Sequence, residues 1–281
     1  MKIPKYWARA EAQTPPDFEG DRVVSVWGWS EEGRHDAERH AQQRLTEVLD
    51  RLHRGLGLPK GYAYGTRPLR EQILEELRDA AGRLEAVLTR NSYGSVVLNA
   101  ARVLFVDVDV PWPSVGQRLA RLFGSRKAMP EAAALARIRE VLQHDSGGSY
   151  RVYRTAAGFR VLATDPPFTP ASPGAMRIME RLGADPSFVQ LCKVQESFRA
   201  RLTPKPWRCG HPNPPGSFPR TDAQEETRFA DWLAAYERAS ESKATCRFVE
   251  AIGWGRTHDD ANDIVRLHDD RTKASSELPL A

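Results

Sequence analysis

The chain has 281 residues, 41% hydrophobic and 28% charged, with 41 lysines and arginines against 37 aspartates and glutamates and a net charge of +4. That balance is enough to bury a substantial core and excludes broad disorder, while the mild basic excess is compatible with a nucleotide, phosphate or nucleic-acid partner without requiring one. Cys192, Cys209 and Cys246 are too few and too scattered for a disulfide framework, the opening residues lack the apolar core of a signal peptide, and no apolar run approaches the ~18 residues that span a bilayer. The expectation is a cytoplasmic protein with free thiols and no membrane partner.

Arg22–Trp29 alternates and is rich in Val and Trp, which predicts a strand, with Ser30 placed to cap a following helix. Ala37, Ala41, Leu45, Val48, Leu49 and Leu52 then recur at helical spacing between Asp36 and Leu52. Gly55 to Gly65 reads as a connector, and Leu69, Ile73, Leu74 and Leu77 predict a second helix. Leu84–Thr89, Ser95–Asn99 and Arg102–Val110 read as strands of an antiparallel meander, ended by Pro111-Trp112-Pro113. Helices are expected at Val115–Phe123 and Glu131–Leu142, with a basic loop at residues 124–127 between them.

Tyr150–Thr155 and Phe159–Thr164 predict a hairpin, with Gly158 supplying a positive φ at the turn. Further helices are expected at Pro173–Leu182 and Ser187–Gln195, a strand at Phe198–Leu202, a Pro-rich loop from Gly210, and a closing helix, strand and helix at Asp222–Ser240, Thr245–Ile252 and Asp259–Lys273. The pattern implies one α+β domain over 1–281 with a mixed, largely antiparallel sheet flanked by helices. Its portions are an N-terminal βα part at 1–83, a metal or nucleotide core at 84–209, the loop at 210–221 and the C-terminal part at 222–281.

Chemistry concentrates in two places. On the strand ending Phe105-Val106-Asp107-Val108-Asp109, alternation puts both carboxylates on one face and Leu104, Val106, Val108 and Val110 on the other. Two acids on one face repel and lose hydration unless a cation or arginines offset them, and Mg2+ or Mn2+ would do so as hard, oxygen-seeking ions. An exposed strand end whose acids meet water or a neighbouring arginine would need no ligand. The hairpin carries Arg151, Arg154, Thr155, Gly158 and Arg160, a set of donors suited to phosphate, although arginines on an edge hairpin can equally be solvated.

An acid-x-acid strand followed by a Thr-x-x-Gly-x turn entering another strand resembles the catalytic core of archaeo-eukaryotic-type primases and primase-polymerases over about residues 84–250. The resemblance implies that Asp107 and Asp109 are catalytic ligands of two divalent metals. It further implies that Thr155, Gly158 and Arg160 lie along the nucleotide-binding motif, and that Arg154, Arg199, Arg201 and Lys205 neutralise phosphate. It implies a metal-dependent nucleotidyltransferase acting on nucleoside triphosphates with DNA or RNA, in which one ion activates a hydroxyl and the other stabilises pyrophosphate. Arg160 stands where that family has histidine, and the third acid has no recognisable motif, with Asp165 and Glu250 as candidates. A catalytically silent nucleotide or nucleic-acid-binding protein on the same scaffold is the alternative.

A third class, a glycosyltransferase using the acid-x-acid to hold manganese, calls for a parallel sheet before Asp107. Cys192, Cys209, Cys246 and His211 have the atom types of a zinc site but no Cys-x-x-Cys pair, which disfavours zinc. The remaining histidines, His268 among them, read as surface or capping residues, and Trp207, inside a basic segment, has the chemistry to stack on a base. No Walker-type loop or dinucleotide fingerprint is present, and nothing in the sequence points to a protein partner.

Overall fold

The computed structural model describes residues 1–18, 20, 22–58, 67–110, 130–145 and 147–281. The expected helix at Val115–Phe123, the basic loop at 124–127, Trp112 and much of the 55–65 connector lie outside these residues. The fold is mixed α+β: one two-stranded ribbon and two four-stranded sheets, every named strand pairing antiparallel, with helices packed against them.

The ribbon joins β1 (Tyr6–Gln13) to β2 (Val23–Ser30) and leads into α1 (Arg34–His53). In β1, Ala8, Ala10 and Ala12 alternate with Arg9 and Glu11, and the register sets them opposite Gly28, Val26 and Val24. This small-residue face receives Ala37, Ala41 and Leu45 of α1. The approach is so close that a Cβ on Gly28 would stand 2.2 Å from the Ala41 nitrogen and 2.3 Å from the Ala37 oxygen. Gly33, not Ser30, occupies the position before α1, but the Ser30 hydroxyl still accepts from the Glu32 and Gly33 amides at 2.9 and 3.2 Å.

The second sheet runs β3 (Gln72–Arg78), β4 (Leu84–Arg90), β5 (Val96–Ala100) and β9 (Phe198–Arg201), in that spatial order. The helix expected around Leu69 to Leu77 is thus a strand. Register shifts between Ile73 and Glu75 and between Leu77 and Arg78 break the two-residue alternation, leaving a leucine spacing that imitates a helix. The meander also ends one strand earlier than expected, because β6 (Phe105–Asp109) crosses into the third sheet.

That sheet has the order β10-β7-β8-β6, with β7 Ser149–Thr155, β8 Gly158–Asp165 and β10 Cys246–Gly253. Val106, Val152 and Val161 share one face, and α2 (Pro130–Gln143) and α3 (Pro173–Leu182) contribute Ile138, Leu142, Ile178 and Met179 to the same buried cluster. α6 (Asp259–Thr272) meets the other face through His268 and Asp269. Residues of both large sheets, among them Leu88, Leu98, Phe198 and Leu162, join this single core.

α4 (Pro186–Gln195) precedes β9, and a short 3-10 turn at Pro206–Cys209 follows it. No helix or strand forms between Gly210 and Asp222. α5 (Ala223–Ser240) stacks Trp232 on Tyr236 at 5.1 Å, and the Trp232 indole donates to the Pro212 carbonyl at 2.9 Å, which ties this Pro-rich segment down. Among the described residues no helix is long and apolar enough to cross a membrane, and all three cysteines are free.

Candidate functional site

β6 and β8 pair so that Asp107 faces Arg160 and Asp109 faces Gly158. Gly158 serves this pairing differently from the expected positive φ, since its φ lies outside the left-handed region. A Cβ there would sit 2.0 Å from the Val108 carbonyl oxygen and 2.9 Å from the Val110 nitrogen, so only glycine lets β6 come in this close. The Ala157 carbonyl in the turn accepts from the Val110 amide at 2.9 Å and fixes the end of β6.

With the strands so placed, the Arg160 guanidinium takes both oxygens of Asp107, Nε to Oδ1 at 2.6 Å and Nη2 to Oδ2 at 2.9 Å. The pair is lopsided: the Arg160 side chain is 1% exposed, the Asp107 side chain 43%. Arg160 is a plug beneath a carboxylate that still reaches solvent. Its Nη1 donates to the Arg201 carbonyl at 2.9 Å and to the Cys246 sulfur at 3.6 Å, and lies 3.4 Å from His268 Nε2. Most of the five guanidinium donors are therefore committed inside the protein.

Burial alone would raise the Asp107 carboxyl, but the charge and hydrogen bonds of Arg160 hold it below the usual carboxylate range. Burial would likewise lower Arg160, and Asp107 outweighs it to raise the guanidinium. His268 is wholly buried rather than at the surface, between Phe105 and Tyr153, because helix α6 brings it over this face of the sheet. Burial pushes its imidazole down to about 4, against the hydrogen bond it makes to Asp269, whose Oδ1 accepts from Nδ1 at 3.0 Å. With Nδ1–H donating to Asp269, the bare Nε2 accepts from Arg160, so a neutral imidazole fits its surroundings on both sides. Burial also pushes the Cys246 thiol up to about 11, despite the nearby guanidinium of Arg160.

Beyond this plug lies a group of cations. Arg201 is lowered by burial, with Asp107 opposing and Arg160 and Arg208 repelling it. Lys205 is lowered by burial and then by Arg201 and Arg208, with Asp109 and Asp107 opposing. Among the described residues none of Arg201, Lys205 and Arg208 forms an ion pair, and the Arg201 Nε is shielded from solvent without a hydrogen-bond partner. An unpaired buried donor costs about 1–3 kcal/mol; the mutual repulsion of the cations adds to it, and an anion held against them would relieve that repulsion.

The remaining expected phosphate ligands lie elsewhere. Arg154 is turned to the opposite face, where Nε and Nη2 reach Glu131 at 2.5 and 3.1 Å. Arg199 is buried in an ion pair with Glu71 at 2.7 Å. Thr155 ends β7 opposite Cys246, within the same sheet. Of the proposed third acids, Glu250 pairs with Arg139 of α2 at 2.8 Å, and alternation along β8 puts Asp165 on the face away from Arg160. The acid that does reach the face is Asp269, already paired with Arg151 at 2.8 Å. His268, Asp269, Cys246 and Arg208 were not singled out for this site by sequence, since nothing but tertiary structure brings them to β6.

As the side chains stand, both Asp107 oxygens accept from Arg160. Among the described residues no three His, Cys, Asp or Glu side chains form a metal-holding group, whether around Asp107 and Asp109 or among Cys192, Cys209, Cys246 and His211. No family model, curated protein or solved structure matches this chain.

Proposed function

We propose that the protein binds nucleotide or nucleic-acid phosphate without reacting it, on a scaffold resembling a primase-polymerase core. The observation that carries this reading is the closure of Arg160 on both oxygens of Asp107. The charge that a metal would neutralise in a nucleotidyltransferase is neutralised here by the chain itself. The site then keeps a net attraction for anions through Arg201, Lys205 and Arg208, beside the remaining acid Asp109. Clustered cations of this kind recognise phosphate by charge and tolerate any base.

Metal-dependent nucleotidyl transfer is the competing reading, and it requires Arg160 to leave Asp107. The glycosyltransferase reading calls for a parallel sheet, whereas β6 pairs antiparallel with β8.

Fluorescence anisotropy with labelled single-stranded DNA and RNA and with nucleoside triphosphates, in EDTA and in Mn2+, separates these. Binding that persists in EDTA, and a Lys205→Ala/Arg208→Ala variant whose salt dependence falls by about one unit of slope per cation removed, are expected. Manganese-dependent primer extension abolished by Asp107→Ala/Asp109→Ala would overturn the silent reading in favour of transfer.

A further inference from the structure

The β1–β2 ribbon buries its alanine face on α1, and its opposite face carries Trp7, Trp27 and Trp29, with Trp7 paired opposite Trp29 and Trp27 two residues from Trp29 on the same side. Large indoles ordinarily serve the core, yet among the described residues none of these three belongs to a hydrophobic cluster. They line a cavity of about 610 Å³ whose other wall is formed by residues 67–71, Asn91 to Tyr93 and Arg199. That volume falls within the ~300–1,000 Å³ of small-ligand sites.

Cations lie on the indoles. The Arg70 guanidinium is 4.2 Å from the Trp27 ring centre and that of Arg44 is 4.9 Å from Trp29. An arginine stacked on a ring can sandwich a further flat group with its other face, while its in-plane donors serve the protein: Arg70 Nη2 donates to the Ser217 hydroxyl at 3.1 Å and Arg44 Nη1 to the Trp27 carbonyl. The Trp7 Nε1 is shielded from solvent and has no hydrogen-bond partner. The cavity also continues outward. Tyr93, on its wall, meets the Trp207 ring edge-on at 5.1 Å; Trp207 is 48% exposed; and the Lys205 ammonium lies 5.3 Å from that ring. Lys205 in turn belongs to the cation group beside Asp107 and Asp109.

Flat apolar faces alternating with cations match what an unpaired strand presents, bases along one edge and phosphates along the other. We propose that this cavity receives bases of a single-stranded nucleic acid whose backbone passes over Tyr93 and Trp207 onto Lys205, Arg201 and Arg208. The proposal rests on the anion reading of that cation group. A free nucleotide shares the chemistry of a base plus a phosphate, and the test separates the two sources.

The whole chain is titrated with a labelled oligothymidylate of about twelve nucleotides, with an abasic oligomer of equal length, and with thymidine monophosphate, reading anisotropy and tryptophan emission. The oligothymidylate is expected to quench tryptophan emission and to bind about tenfold more tightly than the abasic oligomer. Trp207→Ala and Trp27→Leu are each expected to weaken it about tenfold while leaving the abasic oligomer unchanged. Because Trp27→Leu could disturb the ribbon, the half-exposed Trp207 carries the comparison by itself. Equal affinity for both oligomers overturns the stacking cavity and leaves the anion reading intact. Failure of both to bind overturns the two together, and quenching by the monophosphate without any preference for the strand overturns the strand in favour of a nucleotide.

Discussion

The Arg160 guanidinium and the His268 imidazole lie 3.4 Å apart, and both are sealed from solvent. Two cations cannot share that space without an added anion, and the charge belongs to Arg160. His268 therefore folds neutral, with its pKa lowered from 6.5 to about 4. In the unfolded chain it binds a proton over that interval while the folded chain does not, so stability is complete above about pH 6.5 and falls as the pH drops toward 4. The loss is on the order of 3 kcal/mol across the window. Asp107 and Asp269 are lowered carboxylates whose contributions disappear only below that window, as they protonate. Urea unfolding at intervals of pH should show the slope, and His268→Gln should flatten it between these limits.

Removing one partner of the Asp107–Arg160 pair is expected to cost more than removing both. Asp107→Ala leaves a guanidinium that is 1% exposed without its counter-charge, a defect of about 3–5 kcal/mol. Asp107→Leu/Arg160→Met should recover much of this, and a double-mutant cycle by chemical denaturation measures the coupling.

The contrast between these residues and their neighbours shows what could be read from the sequence. Helices such as α1 and α5 and the β7–β8 hairpin were legible because their apolar spacing is regular. β1 was not, since Ala8, Ala10 and Ala12 are too small to register as an apolar stripe, and they became one only when α1 came close enough to use them. β3 misled through its register shifts. Asp107 and Asp109 could be put on one face from alternation alone, whereas the fate of Asp107 depended on the β6–β8 register. A partner 53 residues away cannot be chosen without that register. His268 and Asp269 were further still from view, because no pattern in α6 says which strand it will cover.

Gly158→Ala is expected to destabilise the protein by several kcal/mol, well beyond the ~1 kcal/mol change typical of a point substitution. The added methyl would meet the Val108 carbonyl at 2.0 Å and force β6 away from β8. Thermal unfolding gives the loss. Weaker protection of the Val110 amide in hydrogen exchange would locate it at the end of β6.

A second buried pair, in the wall of the tryptophan-lined cavity, offers a parallel experiment. Glu71 and Arg199 meet at 2.7 Å, both nearly inaccessible, with Thr89 donating to Glu71 and Arg199 Nη1 donating to Asn99 and Gln195. Arg199→Leu should cost about 3–5 kcal/mol by leaving Glu71 buried without its counter-charge. Glu71→Leu/Arg199→Leu should cost less than either single change, as chemical denaturation of the three variants will show.

The order in which the chain fills its two large sheets has a bearing on how it can be handled. β3, β4 and β5 go to one sheet and β6, β7 and β8 to the other, after which β9 returns to the first and β10 to the second. The sheets are thus interlaced: a cut before β6 strands the first without its last edge, and a cut after β8 leaves the second without β10. Neither can be excised as a freestanding fragment with its full complement of strands. Arg160 of one sheet, donating to the Arg201 carbonyl of the other, is a stitch across that weave. Fragments mixed after separate expression would have to exchange strands before they could form it.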